Sequence, residues 1–529
     1  MQGLLAILCL LIFTTSIQPI YAANKTPKPR IIITADPELD DNNSMIRFLL
    51  YSASFKVEGL VYASSQFHWK GDGKGTKFMV PGREYSRYGL NLCPCTSYRW
   101  KDDERFIHEA VAAYEKVYPN LRIHDANYPT PAYLKSRIKY GNIEFEGDYS
   151  KDTEGSNLIK SVILDDVPGP VYITAWGGQS TIARALKSIQ DQYKNSKDWE
   201  TIKKKISNKV ILMPSGDQDG TYASYIKPNW PAIEYRQYKN GPNYGYGAQL
   251  VANHENAEYL TPKWMQDNVR SKGALGSVYR VWQDGKQMVK GDIFDYFGLV
   301  GYSNEELKKM GYIVWMPVQE KGAWLGEGDT GTFMNLLSNG LDAIDPSHPG
   351  GWSGRPFLPP ATYIDPFSND TSKVKDLVIS ANSLTKMASE EENTAVFPNF
   401  FPAAENDFAA RMEWSVQCKY SNANHAPIIQ LRNSSAIKAK AGDVVQLEAA
   451  VNDPDGDKYA IRWWQFVENQ HSPIADFNST SSKKTMLQIP ADAKANQAIF
   501  VVVEVKDSGK KNNLTSYKLI KIEISGPAS

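Results

Sequence analysis

The chain has 529 residues, with 59 Lys and Arg against 59 Asp and Glu, and is 42% hydrophobic and 12% aromatic. That length predicts more than one domain, the zero formal net charge gives no electrostatic reason to expect nucleic acid or an anionic membrane as partner, and the apolar fraction excludes wholesale disorder. Thirteen Trp and 29 Tyr exceed what a core requires and hint at ligand stacking, because both rings combine an apolar face with a polar edge.

Residues 1–23 carry no charged side chain, and their apolar run Leu4–Phe13 is followed by the small pair Ala22-Ala23. The run is too short to span a bilayer, so a cleaved secretory signal is expected, with export to the periplasm or the medium. No later stretch approaches 18 apolar residues, so no stable membrane insertion is expected. Cys9 lies in that leader, leaving Cys93, Cys95 and Cys418. At most one disulfide can form among these three. Cys93-Pro94-Cys95 lacks C-x-x-C spacing and a nearby His, which argues against a zinc or redox site.

The body alternates strand and helix. Arg30–Thr34, Lys56–Ala63, Val171–Ala175 and Lys209–Met213 read as strands of a buried parallel sheet. Asn42–Tyr51, Asp102–Val117 and Ser180–Lys194 have helical spacing, the second opened by acids that suit a helix N-terminus. The pattern predicts a doubly wound, mainly parallel α/β sheet whose ligands bind at the carboxyl ends of its strands. From Ala426 onward five short alternating runs, about ten residues apart, predict an all-β immunoglobulin-like sandwich. The expected division is an α/β domain over 24–415, a linker over 416–425 and the sandwich over 426–529.

The first strand ends in Thr34-Ala35-Asp36-Pro37-Glu38-Leu39-Asp40-Asp41. Four acids in six residues repel one another unless a cation compensates, and clustered carboxylates suit Ca²⁺. Equally, Asp40 and Asp41 could simply cap the helix that follows.

Asp36-Pro37-Glu38-Leu39-Asp40-Asp41 resembles the D-P-G-x-D-D core of the nucleoside hydrolases. More closely, the chain resembles a secreted cellulose-binding, nucleoside-hydrolase-like family in which such a domain precedes a β-sandwich. Segments Asp152–Ser156, Ala175–Ala183, Asp217–Gly220, Gly326–Thr330, Gly350–Arg355 and Asn452–Asp457 carry the resemblance in order along the mature chain. It implies a Ca²⁺ site. Asp36 matches the aspartate that binds the ion and takes a proton from the attacking water. Asp41 matches a bidentate ligand, Trp176 a backbone-carbonyl ligand, and Asp329 the late aspartate that closes the site, with Glu327 as a competitor. Asp40 matches the carboxylate that contacts sugar hydroxyls. Two departures stand out. Ala63-Ser64-Ser65 replaces an expected Asn, and Gly328 replaces the His that would protonate a purine leaving group.

Ser65 and His68, after the second strand, and Asp217 and Asp219, after the fourth, are further candidates for substrate contact. For Asp217 and Asp219 the alternative is an Asx-rich turn with Gly220. Arg355 could pair with the acids, with a substrate carboxylate or in a structural salt bridge. Trp69, Trp176, Trp230, Trp324 and Trp352 lie near these segments as candidate sugar-stacking faces, or as packed core. Asp453-Pro454-Asp455-Gly456-Asp457 invites a second Ca²⁺ reading but lacks the remaining EF-hand positions, and a polar turn explains it as well. On the next strand, Trp463 and Trp464 should face opposite ways, one to the core and one to solvent. The leading expectation is a Ca²⁺-dependent glycoside hydrolase acting on a glycan or oligosaccharide. Its rival is a non-catalytic protein that binds cellulose or another plant polysaccharide, and nucleoside N-ribohydrolysis ranks third.

Overall fold

The computed structural model describes residues 27–86, 89–359, 397–467, 471–509 and 511–526. The expected leader, 1–23, lies outside the described residues. Six parallel strands form the first sheet: β1 (Arg30–Ala35), β2 (Lys56–Tyr62), β3 (Ile138–Tyr140), β4 (Val171–Ala175), β5 (Val210–Leu212) and β6 (Glu234–Tyr235), in the order β3-β2-β1-β4-β5-β6. The β-branched run of β1 is buried on both faces. Ile31 and Ile33 enter one hydrophobic core while Ile32 enters the other, as the two-residue repeat of a covered strand requires. Helices α1 (Leu39–Tyr51) and α2 (Phe106–His124) contribute to the first core, and α4 (Glu154–Leu164) and α5 (Ser180–Tyr193) to the second. Between α2 and α4 lies the short α3 (Pro131–Arg137). The strand order reverses between β1 and β4, so the crevice beyond their carboxyl ends is where an open α/β sheet binds ligands.

The loop between β2 and α2 folds around Trp69, Tyr85 and Tyr98 and carries a Cys93–Cys95 disulfide, leaving Cys418 free and exposed. Later in the chain β7 (Gln237–Lys239) pairs antiparallel with β8 (Arg355–Phe357).

The helix Phe401–Trp414 packs on α1 and α2, and the sandwich begins at β9 (Ile428–Leu431). It continues through β10 (Ala436–Ala439), β11 (Val444–Asn452), β12 (Tyr459–Phe466), β13 (Asp476–Phe477), β14 (Lys484–Gln488), β15 (Ala498–Asp507) and β16 (Thr515–Ile524). Its two sheets run β10-β16-β15-β12 and β13-β14-β11-β9, antiparallel except for the β10–β16 pair. Trp463 fills the sandwich core, as one of the pair was expected to do. Trp464 is not left to solvent: it packs beside Phe400 and Phe466, because the α/β domain covers that face. Backbone bonds from Tyr517 and Leu519 to the carbonyls of Asn339 and Gly340 tie the two domains together. Residues 416–425 form a packed corner in which His425 stacks on Tyr420 at 3.6 Å and Trp414 donates to the Asn424 carbonyl. The Asp453–Asp457 run makes a turn: Asp453 Oδ1 accepts from the backbone N–H groups of Asp455 and Asp457, with Gly456 at φ 76°.

Candidate functional site

A tight turn carries the chain from β1 into α1, with the Glu38 N–H bonded to the Asp36 carbonyl. It places Asp36 at the strand end and Asp40 and Asp41 in the first helical turn, where the helix dipole favours negative charge. Asp36 is fully buried. Its Oδ2 accepts from Ser65 Oγ at 2.6 Å and lies 2.9 Å from His68 Nδ1, while Oδ1 has no partner. The carboxylate can only accept, so Nδ1 is the donor of this bond. The loop after β2 is held in place by the Ser65 N–H on the His68 carbonyl and the Phe67 N–H on Ser65 Oγ. A Cβ on Gly177 would lie 2.6 Å from Asp36 Oδ1, so only glycine lets the end of β4 come this close.

The rest of the cluster comes from the helix and from a distant loop. Asp41 is buried, with Oδ1 unpartnered. Asp329 accepts from Ser215 Oγ at 2.5 Å, and its N–H donates to Ser44 Oγ. Asp40 accepts from the Tyr246 hydroxyl at 3.2 Å. Glu38 has ligand atoms within 4.8 Å of Asp36 and His68 in one group and of Asp40 and Asp41 in another. Burial first, and then mutual repulsion, lifts these carboxyls out of their usual range. Asp40 is pushed up to about 6 by burial and the charge of Asp36. Glu38 and Asp41 rise well above the ordinary value, Asp41 by burial and then the Asp329 charge. Asp329 rises by burial and then the Asp40 charge. Glu38 and Asp40 are half-buried and the other acids buried, so the opening lies on the Glu38–Asp40 side.

Among the sequence candidates, Asp36, Asp40, Asp41, Ser65, His68 and Asp329 therefore converge, whereas Glu327, Asp217, Asp219 and Arg355 do not. Glu327 turns away into an ion pair with Arg47 and accepts from the Tyr279 hydroxyl at 2.5 Å. Asp217 accepts the backbone N–H groups of Tyr222 and Ala223. Asp219 caps α5 through the Ser180 N–H and accepts from the N–H and hydroxyl of Thr221. These are the turn and cap roles open to Asx residues. Arg355 reaches the Val467 carbonyl and the Phe397 ring, near the sandwich rather than the acids.

The five candidate Trp residues offer no stacking face. Trp69, Trp176, Trp230, Trp324 and Trp352 are each no more than 3% exposed, their rings committed to packing. The Trp176 ring donates to Thr332 Oγ1, which in turn donates to the Asp329 carbonyl, so this Trp braces the late aspartate. The Trp176 carbonyl accepts from Gln218 Nε2 at 2.7 Å. Its second lone pair remains for a ligand. Glu38, Ser215 and Tyr246 were missed. Glu38 lay in plain view inside the motif, whereas no local signal could link Tyr246 to an Asp 206 residues away.

Residues 30–356 match the family described as cellulose-binding Sde182, nucleoside hydrolase-like domain, a span of more than half the chain. The chain belongs to that family. Residues 444–524 match the C-terminal domain of the cellulose-binding protein Sde0182, so both domains of the Sde182 arrangement are present in order. Among solved structures, a nucleoside hydrolase-related hypothetical protein from Saccharophagus degradans, associated with carbohydrate metabolism, is similar at 22% identity and a TM-score of 0.63. The match covers 94% of this chain and 100% of that one, and it shows a shared fold. A chimeric titin Z1Z2 (20% identity, 20% of this chain and 99% of that one, TM-score 0.13) and an endo-β-1,4-mannanase from Thermotoga petrophila (10% identity, 95% and 99%, TM-score 0.16) are too dissimilar in structure to bear on it. No curated protein is significantly similar to the chain.

The donor set fits the hard cation that the nucleoside hydrolase resemblance implies. Two buried carboxylate oxygens, on Asp36 and Asp41, lack partners, and oxygen donors in this density suit Ca²⁺. Gly328 also has a local reason: a Cβ there would run into Asp40 Oδ2, so no His fits while Asp40 keeps this position.

Proposed function

We propose that this Sde182-family chain is an exported, Ca²⁺-dependent hydrolase that cleaves a glycosidic bond in a glycan or oligosaccharide. One observation carries the reading: Asp36 is clamped through Oδ2 by Ser65 and His68 while Oδ1 stays buried and free beside four more carboxyls. A carboxylate fixed in this way is poised to accept a proton at Oδ1 from an attacking water. Asp41 and Asp329 would hold the cation with Asp36, and the bound ion would supply charge to polarise water and orient a sugar diol. Asp40, carrying the Tyr246 hydroxyl, faces the opening, where sugar hydroxyls would arrive. Attack by water without a covalent intermediate predicts inversion at the anomeric carbon. The carbohydrate assignment is supported by the cellulose-binding description of the family and by the carbohydrate association of the Saccharophagus protein.

A second reading, carbohydrate binding without turnover, is favoured by Gly328, which leaves the leaving group without the imidazole donor of the nucleoside hydrolases. The purified chain should be incubated with cello-oligosaccharides and other plant and algal oligosaccharides, with Ca²⁺ or with chelator, while reducing ends and product anomers are followed. Chelator-sensitive, inverting cleavage supports the hydrolase. Saturable binding without product would leave a binding protein, and cleavage of nucleosides alone would refute the glycan assignment. Export predicts a mature N-terminus at Asn24, readable by mass spectrometry of the secreted protein.

A further inference from the structure

Among the described residues four Trp are only partly buried: Trp199, Trp264, Trp315 and Trp464. Trp199 packs on Trp230 in the second core, Trp264 on Tyr259, and Trp464 beside Phe400 and Phe466 at the domain junction. Trp315 is placed differently. It packs where two hydrophobic clusters meet, one holding Leu39, the residue between Glu38 and Asp40, and the other holding Trp69, Tyr85, Tyr98 and Phe294. Its ring centroid lies 5.1 Å from that of Tyr246 and 5.3 Å from that of Phe297, nearly perpendicular to both. Tyr246 is in turn pinned to Asp40: its hydroxyl accepts from the Asp40 N–H at 3.3 Å and donates to Asp40 Oδ1 at 3.2 Å. A single tyrosine ring thus separates Trp315 from a carboxyl at the opening of the cluster. The polar edge of Trp315 is satisfied, since Nε1 donates to the Phe294 carbonyl at 3.3 Å. The Phe294 ring also carries the Arg99 guanidinium 5.3 Å from its centroid, and the Arg99 charge acts on Glu38. Trp315 is connected in this way to both of the half-buried acids.

We propose that Trp315 is the face on which a sugar unit of the ligand stacks at the opening of the acid cluster, beside Asp40. An indole held at its nitrogen and packed against two further rings is a rigid apolar surface, and its polar edge needs nothing from the ligand. The C–H face of a glycosyl unit suits such a surface, while hydroxyls at the rim of the sugar reach the carboxyl of Asp40. A largely apolar wall with a few convergent polar groups is the usual make-up of a small-ligand site. The stacking face that the buried Trp residues do not provide therefore comes from a loop outside the motif segments.

The inference rests on the carbohydrate reading proposed above, yet the two can fail separately. The whole chain with Ca²⁺ is titrated calorimetrically with the hexasaccharides of cellulose, xylan and laminarin. At least one of these should bind, and Trp315→Ala should weaken that binding by about 10- to 100-fold. Trp315→Phe should keep most of the affinity, and Trp199→Ala, on the second core, should leave it unchanged. Equal affinity in the wild type and Trp315→Ala overturns the platform, as does a wild type that binds none of the hexasaccharides. Cleavage with an unaltered KM in Trp315→Ala upholds the hydrolase and removes the platform; Trp315-dependent binding without cleavage does the reverse. If Trp315→Ala fails to fold by circular dichroism, N-bromosuccinimide oxidation of the wild-type chain decides, read by peptide mass spectrometry. A bound hexasaccharide must shield Trp315, and oxidation at the unliganded rate overturns the proposal. Shielding by inosine and by none of the sugars would put a nucleobase on the ring and overturn it too.

Discussion

Helix α1 serves two groups of buried or half-buried carboxyls that differ in one respect. At its N-terminus Asp40 and Asp41 join Asp36, Glu38 and Asp329, with no arginine or lysine bonded to any of them among the described residues. Further along, Arg47 is wholly buried between Glu327, to which its Nε donates, and Glu405, both of whose oxygens accept from Nη2 at 2.8 Å. Glu327 and Asp329 sit two residues apart on one loop, and the first goes to the arginine and the second to the acids. Buried charge matched by arginine holds a fold together. Buried charge left unmatched is costly, and it persists where a ligand supplies the balance.

Three substitutions test that contrast. Asp36→Asn keeps the shape of the unmatched cluster but removes its base, and should lower any chelator-sensitive turnover by about 10²–10⁴-fold at unchanged far-UV circular dichroism. Turnover that survives would move the base elsewhere. Arg47→Ala strands two carboxyls in the core and should cost about 3–5 kcal/mol, read as a lowered urea midpoint of the α/β domain. A loss under about 1 kcal/mol would mean that the arginine pair does not distinguish the two groups. Asp329→Asn should act in the opposite direction. Removing one unmatched charge should stabilise the metal-free protein by on the order of 3 kcal/mol, while the added stability that Ca²⁺ gives the wild type disappears. The paired thermal melts, with and without Ca²⁺, read both effects.

How much of this could be seen in the chain alone follows from how local each signal is. The β-branched run Arg30–Thr34, the acids after it and the Gly177-Gly178 turn sit on contiguous stretches, and periodicity with motif spacing placed the strand, the helix and Asp36, Asp40 and Asp41. Only the family resemblance preferred Asp329 to Glu327; local pattern could not, because what takes Glu327 out of the cluster is Arg47, which lies far along the chain from that loop and is shared with Glu405. Arg355 went astray for the same reason: the sandwich fold brings Val467 to it. The aromatic excess misled for a different one. Trp residues near motif segments bury their rings to brace the loops that carry the acids, as Trp176 does through Thr332. Proximity in sequence says nothing about which way a ring faces.

The matched group makes its own, smaller prediction, because two glutamates share one arginine. Tyr279 and Thr330 donate to Glu327 alongside Arg47. Glu405 has only Arg47 to oppose its burial, and burial pushes its carboxyl up to about 7, with the Glu327 charge adding to the rise. Raised above its unfolded value, this acid binds its proton more tightly in the native state. Its contribution to stability is therefore present at low pH and is lost as pH rises from the ordinary glutamate range through 7. Between pH 5.5 and 7.5 the loss amounts to roughly 2 kcal/mol. Glu405→Gln, which holds a neutral amide in the same place, should match the wild type at pH 5.5 to within about 1 kcal/mol and should not follow its decline. A denaturation series across this range, with chelator present so that the metal cluster stays out of the measurement, reads the difference in slope. Parallel slopes would mean that Arg47 neutralises both glutamates fully, and the matched group would then carry no titrating charge at all.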